Sequence, residues 1–258
     1  MRVWTAGIEQ RQTGQPVVIL ESGAGEGLDT WKPVFAEIAR VAPVLAYDRK
    51  GLGQSTADSV RPTLRRVAQS LHALLQRLNV SPPYILVGHS WGGLLTRAYF
   101  DQYPQEVAGL IFLDALNPGM TREERAKAAS PEERVKVLAP PTLPEIPADT
   151  PPGLRAEYEV VGSEMVKDYP EARSLRLPSG VPVVVVVAAP PGRIKGSGGV
   201  ARLLNNDQMA ELALTSPKGL FVAAGHVGHL VHRDDPSLVV RLVEHVLKYA
   251  SPAPKEPK

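Results

Sequence analysis

Leu86-Val87-Gly88-His89-Ser90-Trp91-Gly92-Gly93-Leu94-Leu95 is the stretch whose reading decides the fold. It continues an apolar, branched run, Tyr84-Ile85-Leu86-Val87, that follows Pro82-Pro83 and reads as a buried strand. Leu94-Leu95-Thr96-Arg97-Ala98-Tyr99-Phe100 after it suits a helix. Between them Gly88-His89-Ser90-Trp91-Gly92 has the form G-x-S-x-G, set where a strand turns sharply into a helix. Such a turn strains the serine backbone and leaves no room for side chains on its flanks, which Gly88 and Gly92 lack. It lifts the Ser90 hydroxyl above the sheet, at the positive end of the following helix. A Gly-rich loop that merely contains a serine gives no reason for a strand before it and a helix after it.

Working outward, Val17-Val18-Ile19-Leu20 reads as a central strand ending in Glu21-Ser22-Gly23-Ala24-Gly25-Glu26-Gly27. Asp29 or Thr30 is placed to cap a helix from Trp31 to Arg40. Val44-Leu45-Ala46-Tyr47 is a further strand, running into Asp48-Arg49-Lys50-Gly51-Leu52-Gly53-Gln54-Ser55. From Thr63 to Leu78, leucines and Val67 recur on one stripe opposite Arg and Gln, the pattern of an amphipathic helix. Gly109 to Leu113 is the next buried strand, stopped by Asp114-Ala115-Leu116-Asn117-Pro118-Gly119.

The strand–helix rhythm then breaks. Residues 119–180 hold no strong strand, and two charged helical stretches, Arg122 to Leu138 and Leu154 to Val166, flank a Pro-rich connector. This suits a mobile helical cap over the sheet edge. Val181 to Val187, a helix from Val200 to Leu214, the strand Leu220 to Ala223 and a helix from Ser237 to Tyr249 restore the rhythm. The expectation is a mostly parallel, doubly wound α/β sheet with helices on both faces. Its core comprises residues 1–118 and 181–250, with 119–180 as cap and 251–258 as a flexible tail.

Composition narrows the classes. Hydrophobic residues make up 43% and charged residues 22% of 258, ordinary for a globular enzyme. No apolar run is long enough to span a bilayer, and Met1 to Thr5 has no secretory core, so the reading is a cytoplasmic protein without a membrane partner. A formal charge of +2 provides no concentrated basic face for nucleic acid. With no cysteine, disulfides and thiolate chemistry are excluded. No marker of oligomeric state stands out.

A serine hydroxyl needs a base to take its proton. Among six histidines, His72 and His245 sit in amphipathic helices and read as surface residues. His89 flanks the apex and reads as pocket lining or packing. His226, His229 and His232 follow the last strand, at the carboxyl edge where ligands collect in open α/β sheets. His229, preceded by Gly228, is the first choice, then His226, then His232. One oxyanion donor is expected from the N–H of Trp91 and a second from the turn Ser22-Gly23-Ala24-Gly25.

Gly88-His89-Ser90-Trp91-Gly92, Tyr47-Asp48-Arg49-Lys50-Gly51-Leu52-Gly53-Gln54-Ser55 and Gly228-His229-Leu230-Val231-His232-Arg233-Asp234-Asp235-Pro236 together resemble the α/β-hydrolase superfamily, over almost the whole chain to about Ala250. The resemblance implies an α/β-hydrolase fold with a small helical cap, and the chain order serine, acid, histidine. It assigns the base to His229. Family members usually carry the acid after the strand that follows the cap, but here Val187-Ala188-Ala189-Pro190-Pro191-Gly192-Arg193 offers none before Asp207. Some branches place it one strand earlier, and Asp114 occupies that position. Asp207, Asp234 and Asp235 are weaker alternatives, the last two reading as caps of the final helix. Counting the family's His-Gly-x-x turn back from Trp31 puts Ser22 at the His position and gives Ala24 the oxyanion N–H, with Gly25 one residue away.

A dinucleotide site is the rival for Gly23-Ala24-Gly25-Glu26-Gly27, with Asp48 ending the next strand, but the glycine spacing is wrong. His226, His229 and His232 lack a second carboxylate cluster of metal-ligand spacing. The expectation is therefore a serine carboxylic-ester hydrolase with neither cofactor nor metal, acting on a small-molecule ester. Lactone, thioester, amide, peracid and C–C chemistry use the same parts. A ligand-binding receptor or inactive relative on the same scaffold is the alternative of a different class. Gly23, Gly25, His89, Leu138, Leu143, Ile146, Tyr158, Met165 and Leu230 are expected to line a modest apolar pocket for small to medium acyl chains.

Overall fold

In the computed structural model the described residues are 1–118, 121–139, 141–143, 145–189, 199–216 and 218–250. The proposed tail at 251–258 lies outside them. Seven strands form one sheet: β1 (Val3–Ala6), β2 (Val17–Glu21), β3 (Val44–Tyr47), β4 (Tyr84–His89), β5 (Val107–Leu113), β6 (Val183–Ala188) and β7 (Leu220–Ala224). Their order is β1-β3-β2-β4-β5-β6-β7, and all neighbours are parallel except β1, which runs antiparallel to β3. The strands β2 to β6 are buried along their whole length, which explains their unbroken apolar runs. β1 was not expected from the sequence. It is a half-exposed edge strand, so no apolar run announces it.

The helices α1 (Lys32–Ala39) and α10 (Pro236–Tyr249) cover one face. Trp31, Val34, Ile38, Val239, Leu242, Val243 and Val246 there close over Val18, Leu20, Val44, Ile85 and Ile111. α2 (Leu64–Arg77), α3 (Trp91–Gln102) and α8 (Gly199–Leu214) cover the other, where Leu71, Leu75, Leu94, Leu95 and Met209 pack with Ile19, Leu86, Leu110 and Val185. Thr63 caps α2 through the Arg66 N–H. Asp29 and Thr30 do not cap α1, contrary to expectation. A short 3₁₀ turn, Leu28–Trp31, intervenes, Asp29 pairs with Lys32 and Arg2, and Thr30 bonds His232.

Among the described residues between β5 and β6 lie four helices: α4 (Arg122–Ala128), α5 (Pro131–Leu138), α6 (Pro152–Val166) and α7 (Pro170–Arg173). The stretch 122–138, expected as one helix, is two. Pro131 has no N–H to continue α4, and Ser130 instead forms a capping box with Glu133, as Thr121 does with Glu124. A last short helix, α9 (Val231–Asp234), stands where the sequence read only loop. Among the described residues no helix is long and apolar enough to cross a membrane.

Candidate active site

Ser90 stands between β4 and α3 with φ 52° and ψ −121°, a region non-glycine residues rarely occupy. The strain is held by three backbone bonds: Ser90 N–H to Leu113 O at 3.1 Å, Gly93 N–H to Ser90 O at 3.1 Å and Leu116 N–H to Ser90 O at 3.2 Å. A Cβ on Gly88 would come within 2.6 Å of Gly92 O, and one on Gly92 within 2.3 Å of Glu21 O. The turn therefore closes only with glycine at both positions.

Asp114 follows β5 directly, beside this turn. Its backbone N–H donates to Val186 O at 2.8 Å, one carboxylate oxygen accepts the Ala188 N–H at 2.9 Å, and the other lies 2.7 Å from His229 Nδ1. A carboxylate accepts only, so Nδ1 carries the proton and Nε2 keeps its lone pair. The alternatives named from sequence are committed elsewhere. His226 is mostly exposed and bonds Asp235 at 2.8 Å, while His232 is buried against Thr30. Asp235 caps α10 through the Leu238 N–H, and Asp234 accepts the Gly228 N–H, not an N–H of α10 as expected. Asp207 is exposed on α8 and shares a groove with Arg97 and Asn117.

The segment Gly23–Glu26 is a turn closed by Glu26 N–H to Gly23 O at 3.1 Å, with Gly25 at φ +74° in the place where a type II turn requires it. The Gly25 N–H donates to Glu157 Oε2 of α6 at 2.9 Å. Of the two oxyanion candidates left open by the sequence, the Gly25 N–H is therefore engaged by Glu157. Ser22 is a hub of this loop, accepting from Trp31 Nε1 at 3.0 Å.

Comparison with known proteins adds the following. A family model described as the alpha/beta hydrolase fold matches residues 16–138. The solved structure of a thermophilic esterase from Thermogutta terrifontis covers 97% of this chain and 94% of its own, with a TM-score of 0.62 at 20% identity. The enol-lactonase from Burkholderia xenovorans LB400 covers 96% of each, with a TM-score of 0.62 at 18% identity. The chain has the α/β-hydrolase fold. Protein YqjL of Bacillus subtilis is 32% identical to it over 97 residues, 38% of this chain and 38% of YqjL. The aligned stretch thus spans well under half the length of this curated relative.

The chain buries a charge network under the Gly23–Glu26 turn that its sequence did not announce. Arg49, from the loop after β3, donates to Glu157 Oε1 at 2.6 Å and Oε2 at 2.8 Å, to Glu21 Oε1 at 2.8 Å, and to the carbonyls of Ser22 and Gly23 at 2.8 and 2.7 Å. Arg49, Glu21 and Glu157 are each no more than 3% exposed. Burial works against the guanidinium charge, but Glu157 and Glu21 outweigh it and push the Arg49 pKa up. Burial raises the Glu21 carboxyl, opposed by Arg49 and by the hydroxyl of Tyr47. Only the run Tyr47-Asp48-Arg49 hinted at this network, since a buried ion pair across distant segments leaves no periodicity. Asp48, the acid of the dinucleotide rival, is itself spent on the N–H groups of Leu28 at 2.7 Å and Gln54 at 3.0 Å.

The second missed group surrounds His89. This side chain is buried and bonded to Glu26 and to the His229 carbonyl, so of the two sequence readings, pocket lining or packing, its burial fits packing. Glu26, His89 and His232 place ligand-type atoms within 4.8 Å of one another, the one such grouping among the described residues. Glu26 and His89 satisfy each other there. Burial opposes the Glu26 charge, yet His89, the nearby His232 and the Gly23 N–H outweigh it and hold the carboxyl down to about 2. Burial, with His89 beside it, pushes His232 down to about 3, so that ring is neutral.

Among the expected pocket residues, Tyr158 meets the site. A Cβ on Gly25 would lie 2.7 Å from both Tyr158 Oη and Leu154 Cδ1, which stand over the oxyanion turn. Gly23, the first residue of that turn, faces the nucleophile: a Cβ on it would lie 3.3 Å from Ser90 Cβ. Leu143 packs on Gly162 of α6, and Ile146, Met165 and Leu230 are half-buried. Leu138 is exposed and lines a groove between α4 and α5 with Ala126 and Arg134, residues that were not expected at the site. His72 is a further correction, stacked on Tyr103 at 4.0 Å and bonded to Glu106.

Proposed function

We propose that this chain is a serine hydrolase that cleaves carboxylic esters through an acyl-enzyme. Ser90 Oγ attacks the acyl carbon while His229 Nε2 takes its proton. The carbonyl π pair moves onto oxygen, where the N–H groups of Ala24 and Trp91 donate to it. Collapse breaks the C–O bond, and the leaving alkoxide takes the proton from His229. Water then repeats the sequence on the acyl-enzyme, releasing the acid and restoring Ser90. Asp114 holds Nδ1–H throughout and stabilises the imidazolium.

The observation that carries this reading is the 2.7 Å bond from His229 to an Asp114 whose other oxygen is pinned to the sheet by Ala188 N–H, at the edge where Ser90 emerges. The commitment of the Gly25 N–H to Glu157 supports Ala24 as oxyanion donor. The esterase and the enol-lactonase that share the fold support acyl chemistry. Leu154 and Tyr158, pressed on Gly25, support a pocket of modest size and so small to medium acyl chains.

Steady-state hydrolysis of p-nitrophenyl acetate and butyrate tests it. The wild type turns over both, and Ser90→Ala loses turnover by at least about a thousandfold with its melting temperature kept. A wild type that never turns over, yet melts higher when ligand is added, is the receptor on the same scaffold.

A further inference from the structure

His89 is buried, and each of its ring nitrogens faces an oxygen. Nε2 lies 2.9 Å from the backbone carbonyl of His229, and Nδ1 lies 2.9 Å from Glu26 Oε2. A carbonyl only accepts, so Nε2 carries a hydrogen. Glu26 Oε2 also accepts the Gly23 N–H at 3.0 Å, and as an ionised carboxylate Glu26 has only acceptors to offer, which calls for a hydrogen on Nδ1 as well. The contacts fit an imidazolium closed on a carboxylate, one end tied to the Gly23–Glu26 turn and the other to the loop that holds His229.

The place of this pair is narrowly defined. The point where a Cβ on Gly23 would stand lies 2.8 Å from Glu26 Oε2, 3.0 Å from His89 Nδ1 and 3.3 Å from Ser90 Cβ. The pair therefore lies against the oxyanion turn and the nucleophile together. The groups facing His89 are Glu26 from the turn, the ring of His229 at 4.7 Å from the loop after β7, and the ring of His232 at 4.7 Å from α9. His232 bonds Thr30 through Nε2, leaving Glu26 as the carboxylate in contact with His89.

We propose that Glu26 and His89 are positioning residues for the reaction set out above, an ion pair that fixes the His229 backbone against the oxyanion turn. The proposal rests on that reading of Ser90, His229 and Asp114. It assigns to the x of G-x-S-x-G a task the motif does not specify: His89 links the base and the oxyanion donors through bonds that do not pass through Ser90. The expected effect is on transition-state geometry more than on substrate affinity, since drift of a reacting group by a fraction of an ångström to 1 Å costs up to about 100-fold.

Two measurements on the full chain test it. Nitrogen-15 NMR of the histidine rings at pH 7, with His89 assigned by its loss in His89→Asn, shows both His89 nitrogens protonated in the wild type and a single one in Glu26→Gln. One protonated nitrogen in the wild type overturns the proposal, whatever the turnover. In kinetics, Glu26→Gln, which keeps the shape and removes the charge, lowers kcat for p-nitrophenyl butyrate by about 10- to 100-fold and moves KM less than about threefold. Glu26→Ala loses at least as much, and Glu26→Asp recovers part of it. Wild-type kcat in Glu26→Gln, beside an inactive Ser90→Ala, overturns the positioning role and leaves the reaction standing. Wild-type activity in Ser90→Ala overturns the reaction itself, while the NMR result still reports on the pair.

Discussion

Asp114→Asn lowers kcat for a short-chain aryl ester by about 10³- to 10⁴-fold and leaves KM and the folding transition near those of the wild type. The size follows from the tautomer. Asp114 Oδ2 accepts the His229 Nδ1 proton at 2.7 Å, and the Ala188 N–H holds its partner oxygen at 2.9 Å. An asparagine keeping its carbonyl on Ala188 N–H turns its NH₂ toward Nδ1. A neutral imidazole meeting a donor at Nδ1 carries its proton on Nε2, which then has no lone pair for the Ser90 proton. The variant retains shape and loses the base. Stopped-flow and steady-state rates on the purified variant check this; activity within tenfold of the wild type places the acid elsewhere.

Arg49→Met destabilises the protein by about 3–5 kcal/mol, the cost of leaving buried carboxylates without their cation. Two are stranded together, since Glu21 and Glu157 both bond the guanidinium at 2.8 Å or less. A loss of that size is a large part of the ~5–15 kcal/mol that holds a domain folded. Glu157→Gln is milder, because Arg49 keeps Glu21 and the carbonyls of Ser22 and Gly23, and the amide oxygen still accepts from Gly25. Urea titrations rank the two variants. Kinetics separate them further: Glu157→Ala frees the Gly25 N–H and the turn that presents Ala24, so kcat falls even where the fold survives. Equal stability of Arg49→Met and wild type contradicts a network held by this cation.

The same network bears on the mobile cap expected from sequence. Glu157 belongs to α6, within the helices between β5 and β6, and it is bonded both to Arg49 and to the oxyanion turn. Movement of α6 away from the sheet breaks a buried ion pair and releases the Gly25 N–H in one step.

Much of this was legible in the chain because it is local. The strand before Gly88 and the helix after Gly92 announce the elbow through composition, and β2 to β6 announce themselves through apolar runs buried on both faces. Asp114 was singled out through the resemblance, by its place after β5, and there it meets His229. Glu26, His89, Arg49 and Glu157 were not recognised as a group, since what unites them is contact across 132 residues in the case of Gly25 and Glu157. A lone buried charge has no pattern of its own; its partner defines it. The single helix expected over 122–138 failed for a local reason, because Pro131 has no N–H to continue it and Ser130 caps a new one.

The most direct test of the account is the mass of the protein after reaction with a fluorophosphonate ester. The account predicts one adduct per chain, mapped by proteolysis to the peptide containing Ser90, formed at least about a hundredfold more slowly in His229→Gln and absent in Ser90→Ala. An adduct on another residue, or labelling of Ser90 at the same rate without His229, contradicts it.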